Sequence, residues 1–123
     1  MDELKKKILL VDDDPSFIKL LQNLLSHKGY EVIAAKDGAE AMVQVKAHKP
    51  DMIVLDIMMP QMNGYDVCRT LKFDSPYKDI PILLLTSRER EIDPRIGQMM
   101  GVDYMQKPLN REAFLARVSR ILK

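Results

Sequence analysis

The sequence predicts a doubly wound α/β domain: a five-stranded parallel sheet flanked by five helices. Three observations predict it. Short apolar runs recur along the chain, "ILLV", "MIVL" and "ILLL" among them. Amphipathic stretches with helical spacing lie between them, and Pro, Gly and Asp residues mark the boundaries. Strands that alternate with helices pair in parallel and carry the helices on both faces.

Each element has its own warrant. Ile8–Val11 is apolar throughout, the mark of a strand covered on both sides. Pro15 or Ser16 opens a helix whose stripe is Phe17, Ile18, Leu21, Leu24 and Leu25. Gly29 stands where a left-handed residue closes such a helix. "YEVIAA" from about Tyr30 to Ala35 is the second strand. Asp37 and Glu40 have capping-box spacing before the second helix, which Pro50 ends. "MIVLDI" is the third strand, and Gly64 precedes a helix reaching about Phe73, with Val67, Cys68 and Leu71 inward. Pro81 introduces the fourth strand, "ILLLT". Asp93 and Pro94 suit the N-cap and first position of a short helix ending at Gly101. A brief fifth strand near Tyr104–Gln106 follows, and Asn110 caps a last helix carrying Phe114, Leu115, Val118, Ile121 and Leu122.

Composition narrows the class. The 123 residues fit one domain, residues 1–123, with no repeat or linker. Nineteen basic and 18 acidic side chains leave a net charge of +1, well mixed along the chain. That balance predicts no direct nucleic-acid contact. No apolar run approaches the roughly 20 residues of a bilayer-spanning helix, so no membrane insertion is expected. The charged N-terminus does not read as a signal peptide, and the single cysteine, Cys68, fits a reducing compartment. Both point to the cytoplasm. Met58, Met59 and Met62 cluster after the third strand and read as core and loop packing.

In open parallel sheets, ligands bind beyond the carboxyl ends of the strands. Polar residues gather there. Strand one ends in Asp12-Asp13-Asp14, strand three in Asp56, strand four in Thr86-Ser87, and strand five leads into Lys107. Three adjacent carboxylates repel one another and need a cation when taken from water. The sequence lacks a glycine-rich phosphate loop, and its Asp spacing is not that of a calcium loop. His27 and His48 fall on helical, exposed positions and read as solvated surface.

With "LLVDDDP", "DMIVLDIMMPQMNGYDVCRTLK", "IPILLLTS" and "YMQKPLN" in this order, the chain resembles response-regulator receiver domains, the CheY-like family of two-component signalling. The resemblance runs from Lys7 to Lys123 and implies the strand order 2-1-3-4-5. It implies that Asp56 is the phosphoacceptor. Asp12 and Asp13 match the acidic pair that holds a divalent ion, normally Mg²⁺, with Asp56 and the Met58 carbonyl as further oxygen ligands. Asp14 is left as a solvated residue before the first helix, where its charge suits the dipole.

Lys107 and the Ser87 backbone N–H are implied phosphate contacts. Thr86 is implied to sense the phosphate and Tyr104 to follow it, so that the surface around the fourth helix, fifth strand and fifth helix switches. The Lys107-Pro108 peptide is implied to be cis. The implied partners are a sensor histidine kinase or histidine phosphotransfer protein and a downstream effector protein or output domain. A phosphorylation-dependent dimer is allowed for. On this reading the chain is a signalling module and not an enzyme; the rival reading is a metal-dependent enzyme that turns over small phosphates.

Overall fold

A computed structural model describes residues 5–57, 64–72, 77–86, 103–107 and 109–122. The elements in chain order are β1 (Lys7–Val11), α1 (Pro15–His27), β2 (Glu31–Ala35), α2 (Gly38–His48), β3 (Met52–Asp56), α3 (Gly64–Lys72), β4 (Ile82–Thr86), β5 (Asp103–Gln106) and α4 (Arg111–Ile121). All five strands form one parallel sheet in the order β2-β1-β3-β4-β5. Four helices are present among the described residues. The fourth of the five expected helices, from Asp93 to Gly101, lies outside them, as do Met59 and Met62.

The apolar runs divide between two faces because successive strand side chains alternate. Leu9, Val11, Ile53, Leu55, Ile82 and Leu84 pack with Ala41 and Val45 of α2 and with Val67, Cys68 and Leu71 of α3. Their neighbours Ile8, Leu10, Met52, Val54, Leu83 and Leu85 pack with Leu21 and Leu25 of α1 and with Phe114 and Val118 of α4. A run that is apolar at every position therefore fills two cores at once.

The helix ends are fixed by local chemistry. Asp14 caps α1: its side chain accepts from the Ser16 N–H at 3.0 Å, and Pro15 takes the first helical position. Gly29, at φ +91°, supplies the left-handed turn that closes α1, with the Gly29 N–H on the Ser26 carbonyl and the Tyr30 N–H on that of Leu25. At α2 the Asp37 carboxylate accepts from the Glu40 N–H at 2.8 Å. Glu40 reaches back to the N–H of Lys36 rather than to that of the cap residue itself. Lys49 takes the left-handed conformation ahead of Pro50, where the second helix was expected to stop. Asn110 caps α4 through the Ala113 N–H, as the sequence predicts.

Register places the strand ends together. Val11 of β1 pairs with Leu55 of β3, Asp56 with Leu85 of β4, and Thr86 with Gln106 of β5. The ladder runs one step further through the Asp12 N–H on Ala35, the Ile57 N–H on Leu85 and the Lys107 N–H on Thr86. Asp12, Asp56, Thr86 and Lys107 therefore reach the same rim by continuing the strands, and that rim holds the candidate site.

Candidate functional site

Three carboxylates meet at the carboxyl rim. Asp12, Asp13 and Asp56 each offer an oxygen within 4.8 Å of the others. Asp12 is 5% exposed and Asp56 8%, whereas Asp13 faces solvent. Both oxygens of Asp12 are engaged: Oδ1 accepts from the Asp14 N–H at 2.9 Å and Oδ2 from Lys107 Nζ at 3.1 Å. The same ammonium stands 3.8 Å from Asp56 Oδ2. It also lies over the face of the Phe17 ring, 4.3 Å from the centroid.

The charges do not cancel among these four side chains. Three carboxylates and one ammonium leave an excess of two negative charges in a partly dry site. Burying anions without compensation is costly, so this cluster favours a doubly charged cation. Its ligands are hard carboxylate oxygens with one member open to water, a donor set that suits Mg²⁺. The residues thus fit a divalent ion at the place where the resemblance implies one.

Thr86 is nearly sealed, at 1% exposure, and its carbonyl accepts from the Lys107 N–H at 2.6 Å. Tyr104 pairs in register with Leu84, two residues before Thr86, so Thr86 and Tyr104 are diagonal neighbours on one face of the sheet. Tyr104 is half-buried against the core shared with α2 and α3. Its carbonyl accepts from Arg117 Nη1 of α4 at 3.2 Å, tying β5 to the last helix.

The structure thus gathers Asp12, Asp13, Asp56 and Lys107 into one cluster, with Thr86 adjoining it through the backbone. Met58, Ser87 and the Lys107-Pro108 peptide involve residues outside the described ones. Asp14 caps α1 instead of joining the carboxylate cluster. Phe17 is the member that sequence reasoning missed at the site. Its place on the α1 stripe signalled only core, and nothing local links it to a lysine 90 positions away.

The family described as the response regulator receiver domain matches residues 8–119. The chain belongs to that family. This receiver domain is 44% identical over 121 residues to the alkaline phosphatase synthesis transcriptional regulatory protein PhoP of Bacillus subtilis, covering 98% of this chain and 50% of that protein. It is 39% identical over 124 residues to the DNA-binding response regulator MtrA of Mycolicibacterium smegmatis, covering 100% of this chain and 53% of that one. The receiver domain therefore spans about half the length of the curated relatives it matches. Among solved structures it is similar to chemotaxis response regulator CheY4 of Vibrio cholerae, with TM-score 0.87 and 34% identity, covering 96% of this chain and 99% of that one. Its relatives are signalling proteins of two-component systems, and no helix among the described residues is long and apolar enough to cross a membrane.

Proposed function

We propose that this receiver domain carries a signal as a phosphoryl group on Asp56, received from a phosphohistidine on a sensor histidine kinase or a histidine phosphotransfer protein. The observation that carries the reading is the meeting of Asp12, Asp13 and Asp56 oxygens within 4.8 Å, with the Lys107 ammonium 3.8 Å from Asp56. An Asp56 carboxylate oxygen forms the new bond to phosphorus. The bond from phosphorus to the partner's imidazole nitrogen breaks, and that nitrogen keeps the electron pair. Asp56 is ionised at the outset, so no general base is required. Lys107 stabilises the charge that spreads onto the phosphoryl oxygens.

Asp12, Asp13, Asp56 and the Met58 carbonyl would hold Mg²⁺. When bound, the ion supplies positive charge against the transferring phosphoryl group. The Ser87 N–H and Lys107 then hold the product. The Thr86 hydroxyl turns to the phosphate, and Tyr104, its diagonal neighbour on the same face, follows. Inverting a 1:99 population takes about 5.5 kcal/mol, so several such contacts must act together with a partner that prefers the active surface.

That partner is a downstream effector protein or output domain, read through α4, β5 and the segment before β5. Residues 1–123 act as one domain in the cytoplasm, where a free Cys68 is stable. The well-mixed charge argues that this domain makes no direct contact with nucleic acid, whatever the longer relatives do.

Intact-mass measurement after treatment with acetyl phosphate and Mg²⁺ tests the reading. Wild type should gain one phosphoryl group and Asp56→Ala none. Labelling that survives Asp56→Ala would sink it. Phosphate released over many turnovers without a labelled protein would favour the enzyme reading instead.

A further inference from the structure

We infer that Phe17 is a positioning residue for Lys107: its ring face is a seat that keeps the ammonium against Asp56 while the carboxylates are shared with a cation. The inference rests on the phosphotransfer reading above and adds a member to its site.

Phe17 sits in the first turn of α1, two residues after Pro15 and half-buried against the core that α1 shares with α4. The Asp14 cap fixes where that turn begins, and so fixes the ring. Lys107 enters from the end of β5, anchored by its own N–H on Thr86. Between those two fixed points lies a flexible four-carbon stem, 23% exposed as a side chain, whose rotamers a single contact does not hold.

Among the described residues, three groups surround the ammonium: Asp12 at 3.1 Å, Asp56 at 3.8 Å and the Phe17 centroid at 4.3 Å. Asp12 and Asp56 belong to the set that fits a divalent cation, so their charge is divided once that cation is present. A ring offers no oxygen to compete for. The attraction of its π face to the ammonium depends on the ring quadrupole, and an aliphatic side chain of similar bulk lacks it. Phe17 is therefore the one of these three contacts that an ion leaves undiminished. Holding Lys107 there places its charge where the phosphoryl oxygens on Asp56 develop theirs.

The test compares Phe17→Leu with Phe17→Tyr in the full chain, using two readouts. The first is the Lys107 ε-methylene proton shift with and without Mg²⁺, which a ring face moves upfield. The second is the initial rate of Asp56 labelling by acetyl phosphate at saturating Mg²⁺. Phe17→Leu should lose the upfield shift and label about three- to tenfold more slowly, the factor expected for losing a contact of this kind. Phe17→Tyr should keep both, and Mg²⁺ affinity by calorimetry should be the same in all three proteins. Should Leu pack poorly, Phe17→Met repeats the aliphatic arm. Labelling by Phe17→Leu at the wild-type rate overturns the inference, as does an equal loss in Phe17→Tyr. A wild type that takes no phosphoryl group at all is a different failure: it removes the phosphotransfer reading first, even with the ring shift present.

Discussion

Two partly buried lysines stand at opposite ends of the sheet, and their surroundings differ in kind. Lys107, at the carboxyl end, lies among carboxylates: Asp12 at 3.1 Å and Asp56 at 3.8 Å. Lys72, ending α3 near the amino end of β4, donates to neutral carbonyls, those of Lys78 at 3.1 Å and Ile80 at 2.9 Å, with the Asp79 carboxylate near enough to be felt but not hydrogen-bonded to it among the contacts described. Full charges on Lys107's side leave an excess of negative charge that fits a divalent cation. Fixed dipoles on Lys72's side make a strut, which holds the turn before β4 against the end of α3. On the proposed reading, the same residue type serves phosphotransfer at one end and scaffold at the other, according to what its neighbours offer.

Exchanging the readouts is the sharpest way to break that contrast, and its larger arm is at Lys107. Lys107→Ala should slow Asp56 labelling by acetyl phosphate by about a hundredfold or more, the usual scale for removing a preorganised charge from a developing oxyanion. Lys72→Met should label at the wild-type rate. Initial rates by intact mass at saturating Mg²⁺ measure both. Comparable slowing in the two variants would dissolve the distinction.

Next in size is an alkaline effect at the scaffold end. Burial pushes the Cys68 thiol from 9.0 up to about 11, against the pull of the Lys72 charge. The folded protein then holds a proton that the unfolded chain releases above pH 9. Stability is complete below that pH and is lost as pH rises from 9 towards 11, by roughly 3 kcal/mol for a gap of this size. Lys72 opposes it. Burial lowers its pKa below 10.5, so its folded ammonium deprotonates before the unfolded one, and over that interval its contribution to stability rises with pH. Urea unfolding at pH 8, 9, 10 and 11 should show wild type losing stability relative to Cys68→Ala. Parallel curves would mean that the thiol has no part in it.

The two ends were not equally legible in the sequence. Strands announced themselves because a face-alternating run with both faces covered must be apolar at every position, as Ile8–Val11 and Ile82–Leu85 are. Caps were legible because Asp37 and Asn110 bind N–H groups three residues away, a purely local event. The carboxylate rim could be read from Asp12 and Asp56 ending their strands, since a parallel sheet brings strand ends together whatever the loops do. Lys72 gave no such signal. Its partners are backbone carbonyls, which every residue possesses, so no side-chain pattern marks them. The Phe17–Lys107 contact was hidden for another reason: a ring on a core stripe looks the same in sequence whether or not a cation covers it. Glu40 shows a third limit, as capping-box spacing was present but its side chain chose the N–H of Lys36 over that of Asp37.

The smallest expected effect is the most specific to the strut. Lys72→Met keeps the length and the apolar contacts of the stem but leaves the carbonyls of Lys78 and Ile80 without its donors. Leaving a buried acceptor unsatisfied costs about 1–3 kcal/mol, and here water reaches one of the two, so a loss of roughly 1–2 kcal/mol is expected. The urea midpoint at pH 7 should fall while the slope stays the same, because the surface exposed on unfolding does not change. Lys72→Arg should recover part of the loss, since a guanidinium can still donate to two carbonyls from the end of α3. A midpoint unmoved by Lys72→Met would mean that the turn before β4 is held by its own Ile80 N–H bond to Tyr77 and by the ladder bond from Ile53 to Pro81. The lysine would then be only a passenger, and what separates the two ends of the sheet would be chemistry at one of them with no counterpart strut at the other.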